Sequence, residues 1–207
     1  MKETAEGAYE PNLGLRWVIP EWVLSASFAE MSVDGRRERE GIALWAGRRS
    51  SDDGDARKEL LSEATVSYVV VLRGTGVFRA RGQICITPEL LNDVTDRLAA
   101  LGDDVYLVGQ VHGHPPFSST DLSYTDVTYG IRTPDFLSVV APHYGTLPHD
   151  MLRGCGVHVF ESRKGWRRLE ASEIARRLVV TAAPETAPGL IVVETDTSLI
   201  SAWGKHD

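Results

Sequence analysis

Short apolar runs alternate along this chain with charged or glycine-containing segments, and helical spacing appears in only a few places. Arg16 to Ile19 reads as a short strand. Pro20 suits the first turn of a helix that places Leu24, Phe28 and Met31 at i, i+4 and i+7 on one face. Asp34 to Glu40 (DGRRERE) is a charged connection. Ile42 to Trp45 is a short buried strand closed by Gly47, and Arg48 to Lys58 has the composition of an exposed loop. Ala64 to Leu72 (ATVSYVVVL) is rich in β-branched and aromatic residues and predicts a strand, with shorter strands at Val77–Ala80 and Gln83–Ile86. Thr87-Pro88 is an N-cap followed by proline at the first helical position, ahead of a stripe of Leu90, Leu91, Val94 and Leu98. Tyr106 to Val111 is a strand, Ser123 to Tyr129 a short helix closed around Gly130, and Phe136–Ala141 and Gly156–Phe160 are further strands. Gly165 to Leu169 (GWRRL) can pair with the last of these, and Ser172 to Val180 is helical in its first half.

Three segments follow from this pattern: a flexible N-terminal arm at residues 1–15, one domain at 16–181, and a linker and tail at 182–207. Within the tail, Ile191 to Val193 reads either as an edge strand or as a segment that docks elsewhere. Strands and helices mix without regular βαβ alternation, and there is no internal repeat or coiled-coil heptad. The expected fold class is mixed α/β, a single domain with one mixed β-sheet flanked by helices.

Composition narrows the function classes. The 207 residues are 43% apolar, enough for a sizeable core, which excludes global disorder. Net charge is −7, with no block of Lys and Arg resembling a nucleic-acid footprint, so nucleic acid is not an expected partner. Neither a transmembrane run nor a signal-peptide core is visible, and the expectation is a soluble, cytoplasmic protein without a membrane partner. Cys85 and Cys155 are seventy residues apart and fit neither a disulfide framework nor a metal knuckle; both are expected to be small buried hydrophobes.

The chemistry concentrates in Gln110 to Asp126, QVHGHPPFSSTDLSYTD. Side chains two apart on a strand share a face, so His112 and His114 project together at its end. Asp126 follows twelve residues after His114, with Ser123 one helical turn before it. Two imidazoles and a carboxylate make a three-ligand set for zinc with a fourth position open to water. A carboxylate must also move a proton, and Glu40, at the mouth of the strand GIALW, is the best-placed acid, with Glu38 as the alternative. Ser123 shares the helical face of Asp126 and can donate to a developing oxyanion. The plainer reading of Ser123-x-x-Asp126 is a helix N-cap with an acid in the first turn, and the two roles are compatible. His143, His149 and His158 are assigned to surface or core duty. Trp17, Trp22, Trp45 and Trp166 are assigned to the core, while Trp203 and His206 fall in the tail.

Glu40-Gly-Ile-Ala-Leu, His112-x-His114-Pro115 and Ser123-x-x-Asp126 together resemble the JAMM (MPN-plus) metallopeptidase signature. GQVHGHP followed by FLSVVAP and GWRRL is especially similar to bacterial JAB-like members. The resemblance spans roughly residues 16–180. It implies a zinc isopeptidase that cleaves after the C-terminal glycines of ubiquitin or a ubiquitin-like modifier, with modifier conjugates and modifier-activating and conjugating enzymes as partners. By that resemblance Glu40 is the general acid/base, Ser123 the oxyanion stabiliser, and His112, His114 and Asp126 bind Zn2+. Eight residues, Pro115 to Leu122, separate the second histidine from Ser123, one more than the usual pattern. A second SxxD, Ser118 to Asp121, lies inside that loop and offers another register, though with very little chain to turn back to a metal. Two other functions share the signature: a zinc hydrolase that processes a sulfur-carrier conjugate, and a non-catalytic MPN scaffold.

Overall fold

The computed structural model describes residues 15–50, 62–146, 152–182 and 189–195. In chain order its elements are β1 (Arg16–Pro20), α1 (Glu21–Gly35), β2 (Ile42–Ser50), β3 (Glu63–Gly74), β4 (Val77–Ala80), β5 (Gln83–Ile86), α2 (Pro88–Ala99), β6 (Tyr106–Gly113), α3 (Tyr124–Tyr129), β7 (Leu137–Ala141), β8 (Gly156–Glu161), β9 (Gly165–Arg168), α4 (Ala171–Arg177), β10 (Leu178–Thr181) and β11 (Gly189–Thr195). Nine strands form one mixed sheet in the order β10-β1-β3-β2-β6-β7-β8-β9, with β11 also on β3; β4 and β5 form a separate hairpin. The fold is mixed α/β in a single domain, as the pattern of runs predicts.

Period-two alternation divides the core between the two sheet faces. Along β2, Ala43 and Trp45 join one cluster with Trp17 of β1 and Leu24 and Met31 of α1. Ile42, Leu44 and Ala46 join another with Leu90, Val94 and Leu98 of α2. Burial on both faces is why GIALW reads as an unbroken apolar run. Helix α2 begins as its sequence dictates: the Thr87 hydroxyl accepts from the Leu90 N–H at 3.3 Å, and Pro88 opens the first turn. Leu24 and Met31 of α1 are fully buried, and Phe28 is half-buried against them.

Three segments differ from expectation, and one open alternative is resolved. Strand β2 continues through Arg48–Ser50, which pair with Glu63–Thr65 of β3 and so are not loop. Their charged side chains find long-range partners: Arg48 bonds Asp104 at 2.7 Å and Arg49 the Pro134 carbonyl at 2.8 Å. After α4 the chain turns directly into β10, parallel to β1. Gly189–Thr195 pairs in parallel with Tyr68–Gly74, which settles Ile191–Val193 as a strand of the sheet. Leu15, at the end of the expected arm, is 3% exposed and its carbonyl accepts from Arg177.

Trp17 and Trp45 are buried, whereas Trp22 and Trp166 are half-buried; so are Cys85 and Cys155, which are therefore not full core members. Burial still pushes the Cys155 thiol up to about 12. Residues 1–14, most of the Arg48–Lys58 stretch, His149, Trp203 and His206 lie outside the described residues. Among the described residues no helix is long and apolar enough to cross a membrane.

Candidate metal centre

Strand β6 runs between β2 and β7 and delivers both histidines at its buried end. His112 pairs with Ile42 of β2 and with Val140 of β7. Beyond that register the Gly113 N–H bonds the Gly41 carbonyl at 3.1 Å, the His114 N–H bonds the Ala141 carbonyl at 2.8 Å, and the Tyr144 N–H bonds the His114 carbonyl at 2.6 Å. His114 is thus held from both sides. The glycine between the histidines is required by close approach: a Cβ on Gly113 would sit 2.7 Å from the Tyr144 backbone. Gly41, opposite it, would meet the Met31 backbone at 2.8 Å. Both glycines face the α1 side, leaving the other face to the histidines.

Asp126 arrives from α3. Ser123 is the N-cap of that helix, and a capping box locks the pair: the Asp126 N–H donates to Ser123 Oγ at 3.2 Å, and the Ser123 N–H donates to Asp126 Oδ2 at 2.7 Å. The cap fixes where the carboxylate points. His112 Nε2 and His114 Nε2 lie 3.2 Å apart, with Asp126 Oδ2 at 3.2 Å from His114 Nε2 and Oδ1 at 3.4 Å from His112 Nε2. A tetrahedral ion with bonds of about 2.0–2.1 Å separates its ligands by about 3.3–3.4 Å, close to the gap between the two imidazole nitrogens and to that from His114 Nε2 to Oδ2. His112, His114 and Asp126 are the group that can hold a metal ion among the described residues. Asp121, the aspartate of the alternative register, lies outside it.

The tautomer of His114 is fixed by its other nitrogen: Nδ1–H donates to the Ser119 carbonyl at 2.8 Å, which turns the Nε2 lone pair into the centre. Ser119 contributes a backbone atom, which no side-chain motif announces. His112 Nδ1 is buried with no hydrogen-bond partner among the described residues.

Charge at the centre follows from burial and contact. Desolvation pushes the Asp126 carboxyl up, but hydrogen bonds from His112 and His114, the charge of His112 and a hydrogen bond from Ser123 outweigh it and hold the group far below the ordinary carboxylate range. For His114 burial works against the charged form, yet the Asp126 and Ser119 contacts outweigh it and raise its proton affinity above that of a free imidazole. Glu40 stands next to this group. It is 3% exposed, its N–H donates to the Ala80 carbonyl at 2.8 Å, and it continues the β2 register to a position opposite His114. Desolvation raises its carboxyl to about 7, partly offset by the charge of His114 and reinforced by that of Asp126. Glu38, the alternative acid, is exposed in the preceding turn with a φ of 54° and faces Arg81.

The other two described histidines, His143 and His158, lie outside the group that can hold a metal. His158 is buried, and burial together with the Arg168 charge lowers it to about 4. His143 is half-buried in a turn that packs its ring edge-on to Phe117.

No family model matches the chain. No curated protein matches it. Among solved structures, the solution structure of protein DSY2949 from Desulfitobacterium hafniense resembles it with a TM-score of 0.53, covering 82% of this chain and 95% of that one at 14% identity. At that identity the likeness is one of fold.

Proposed function

We propose that this chain is a cytoplasmic, zinc-dependent isopeptidase or peptidase of the JAMM (MPN-plus) kind, cleaving after the C-terminal glycines of a ubiquitin-like modifier. The observation that carries the reading is three convergent donor atoms beside the buried carboxyl of Glu40. His112, His114 and Asp126 would hold the zinc, which would supply Lewis-acid polarisation of water and of the substrate carbonyl. Glu40, buried beside the three donors, is placed to take the proton of the attacking water and pass it to the leaving amine. Ser123 Oγ accepts from the Asp126 N–H at the cap of α3, and its own O–H is the donor assigned to the oxyanion.

The glycine-terminated tail would lie extended and pair by its main chain with a strand edge.

The test is a zinc-loaded digest of a ubiquitin-like modifier fused to a C-terminal extension, run beside a sulfur-carrier conjugate. Cleavage after the terminal glycine, lost on chelation and restored by zinc, is the expected result. Glu40→Gln should lower the rate by about 10²–10⁴-fold with zinc retained, the range for loss of a general base. Full activity of Glu40→Gln removes the proposed base, and cleavage of the sulfur-carrier conjugate alone replaces the substrate.

A further inference from the structure

A second polar site lies at the C-terminal end of β3, beside Arg39, the residue before Glu40. The C-terminal half of α1, the β3–β4 turn and β4 enclose a cleft of about 550 Å³, within the range of small-ligand sites. Four arginines line it: Arg37, Arg39, Arg73 and Arg79, with the acids Glu30 and Asp34 and the aromatic Phe78. In a chain of net charge −7 this is a local surplus of the opposite sign.

The acids position the arginines without covering them. Asp34, buried at the end of α1, holds Arg39 Nη2 at 2.7 Å with one oxygen and lies 2.8 Å from Arg79 Nε with the other. Arg79 also donates to the Leu72 carbonyl at 2.8 Å. Glu30 is paired with Arg73, whose Nη2 lies 2.9 Å from the second carboxylate oxygen, and Glu194 of β11 adds a further negative charge at that end. The excess therefore sits with Arg37, Arg39 and Arg79. A guanidinium has five N–H donors, and the contacts of Arg39 and Arg79 use only some of them. Arg39 Nε is buried without a hydrogen-bond partner, and the Arg37 side chain, exposed on the turn after α1, has none among the described residues. Phe78 is 55% exposed on the same cleft, a large apolar ring left in solvent beside fixed cations.

Fixed guanidiniums with spare donors recognise phosphate oxygens, and an exposed ring beside them offers a stacking face for a base. We propose that this cleft binds a nucleotide, its phosphate against Arg37, Arg39 and Arg79 and its base against Phe78. The concavity of the site favours a small molecule over an acidic peptide, which would need a longer surface. The proposal is independent of the metal centre and of the peptidase reading.

Calorimetric titration of the full chain at low salt tests it, with AMP and inorganic phosphate as probes. AMP is expected to bind saturably and more tightly than phosphate by about fivefold or more, the contribution of one stacked base. Arg37→Ala should weaken both probes by about tenfold, the loss of a charge-assisted contact. Phe78→Ala should weaken AMP and leave phosphate unchanged. Both side chains are exposed, so melting curves of the variants should match the parent. Three results would overturn the proposal: no saturable AMP binding in the millimolar range, an equal effect of Phe78→Ala on both probes, or a poly-glutamate peptide that binds more tightly than AMP.

Discussion

Asp121 and Asp126 stand five residues apart on one stretch of chain, each three residues after a serine, and the fold uses them in opposite ways. Asp126 is 8% exposed and turned inward by a capping box, with its two oxygens on His112 and His114. Asp121 is exposed and turned outward, bound to Arg168 and to the Ser119 hydroxyl at 2.7 Å. Both carboxyls are held below their ordinary range, Asp126 by the two imidazoles and Ser123 against the cost of burial, Asp121 first by Ser119 and then by Arg168. A lowered carboxyl therefore does not by itself mark a ligand. What separates the two is a helix that begins at Ser123 and none that begins at Ser118: the cap aims the carboxylate.

The largest consequence falls on metal affinity. Asp126→Ala should weaken zinc binding by well over a hundredfold, beyond the ~10–100-fold cost of losing an outer-shell partner, whereas Asp121→Ala should stay within a few-fold in a competition titration. Equal losses would erase the distinction between the two registers. The serines should differ in the same sense. Ser123→Ala should cut cleavage of a modifier fusion by about 10²-fold or more if its hydroxyl serves the oxyanion, and it should lower melting stability by about 1 kcal/mol through the lost cap. Ser118→Ala should change neither. A Ser123→Ala variant that loses only stability would reduce this residue to its capping role.

Glu40 should give a stability effect of opposite sign to its proposed catalytic one. A carboxyl raised from 4.5 to about 7 binds its proton more tightly folded than unfolded. Its burial is therefore without charge penalty below about pH 4.5, and stability is lost as pH climbs to about 7. Metal-free Glu40→Gln should accordingly be more stable than the parent above pH 7, by up to about 3 kcal/mol, with the gap closing in acid. A gap that does not change with pH would place Glu40 in water. A smaller effect concerns His114: because its proton affinity is raised, competition between zinc and the proton should begin above pH 6.5, and affinity should then fall about tenfold per unit as pH drops, one proton being displaced.

Local chemistry was legible in the sequence and long-range pairing was not. Thr87-Pro88 announced α2, the glycine turns announced β4 and β5, and His-x-His on a strand with Ser-x-x-Asp brought three ligands together. Arg48 and Arg49 looked like loop because Asp104 and the Pro134 carbonyl, which satisfy them inside a sheet, lie more than fifty residues away. Strands β10 and β11 were hard to read for the same reason: each is parallel to a strand far off in sequence, and neither has a turn signal to declare its partner. Asp34 sat in a charged run, and nothing in DGRRERE showed that it would be buried between two arginines. Gly41 and Gly113 could be read only as spacers until the backbones of Met31 and Tyr144 were seen against them.

X-ray absorption at the zinc edge of the reconstituted protein tests the centre most directly. A four-coordinate nitrogen and oxygen shell at about 2.0–2.1 Å, with the scattering signature of two imidazoles, is the expected result, and it should be unchanged in Asp121→Ala. A sulfur shell near ~2.3 Å, or a spectrum that Asp121→Ala alters and Asp126→Ala does not, would contradict the assignment of His112, His114 and Asp126.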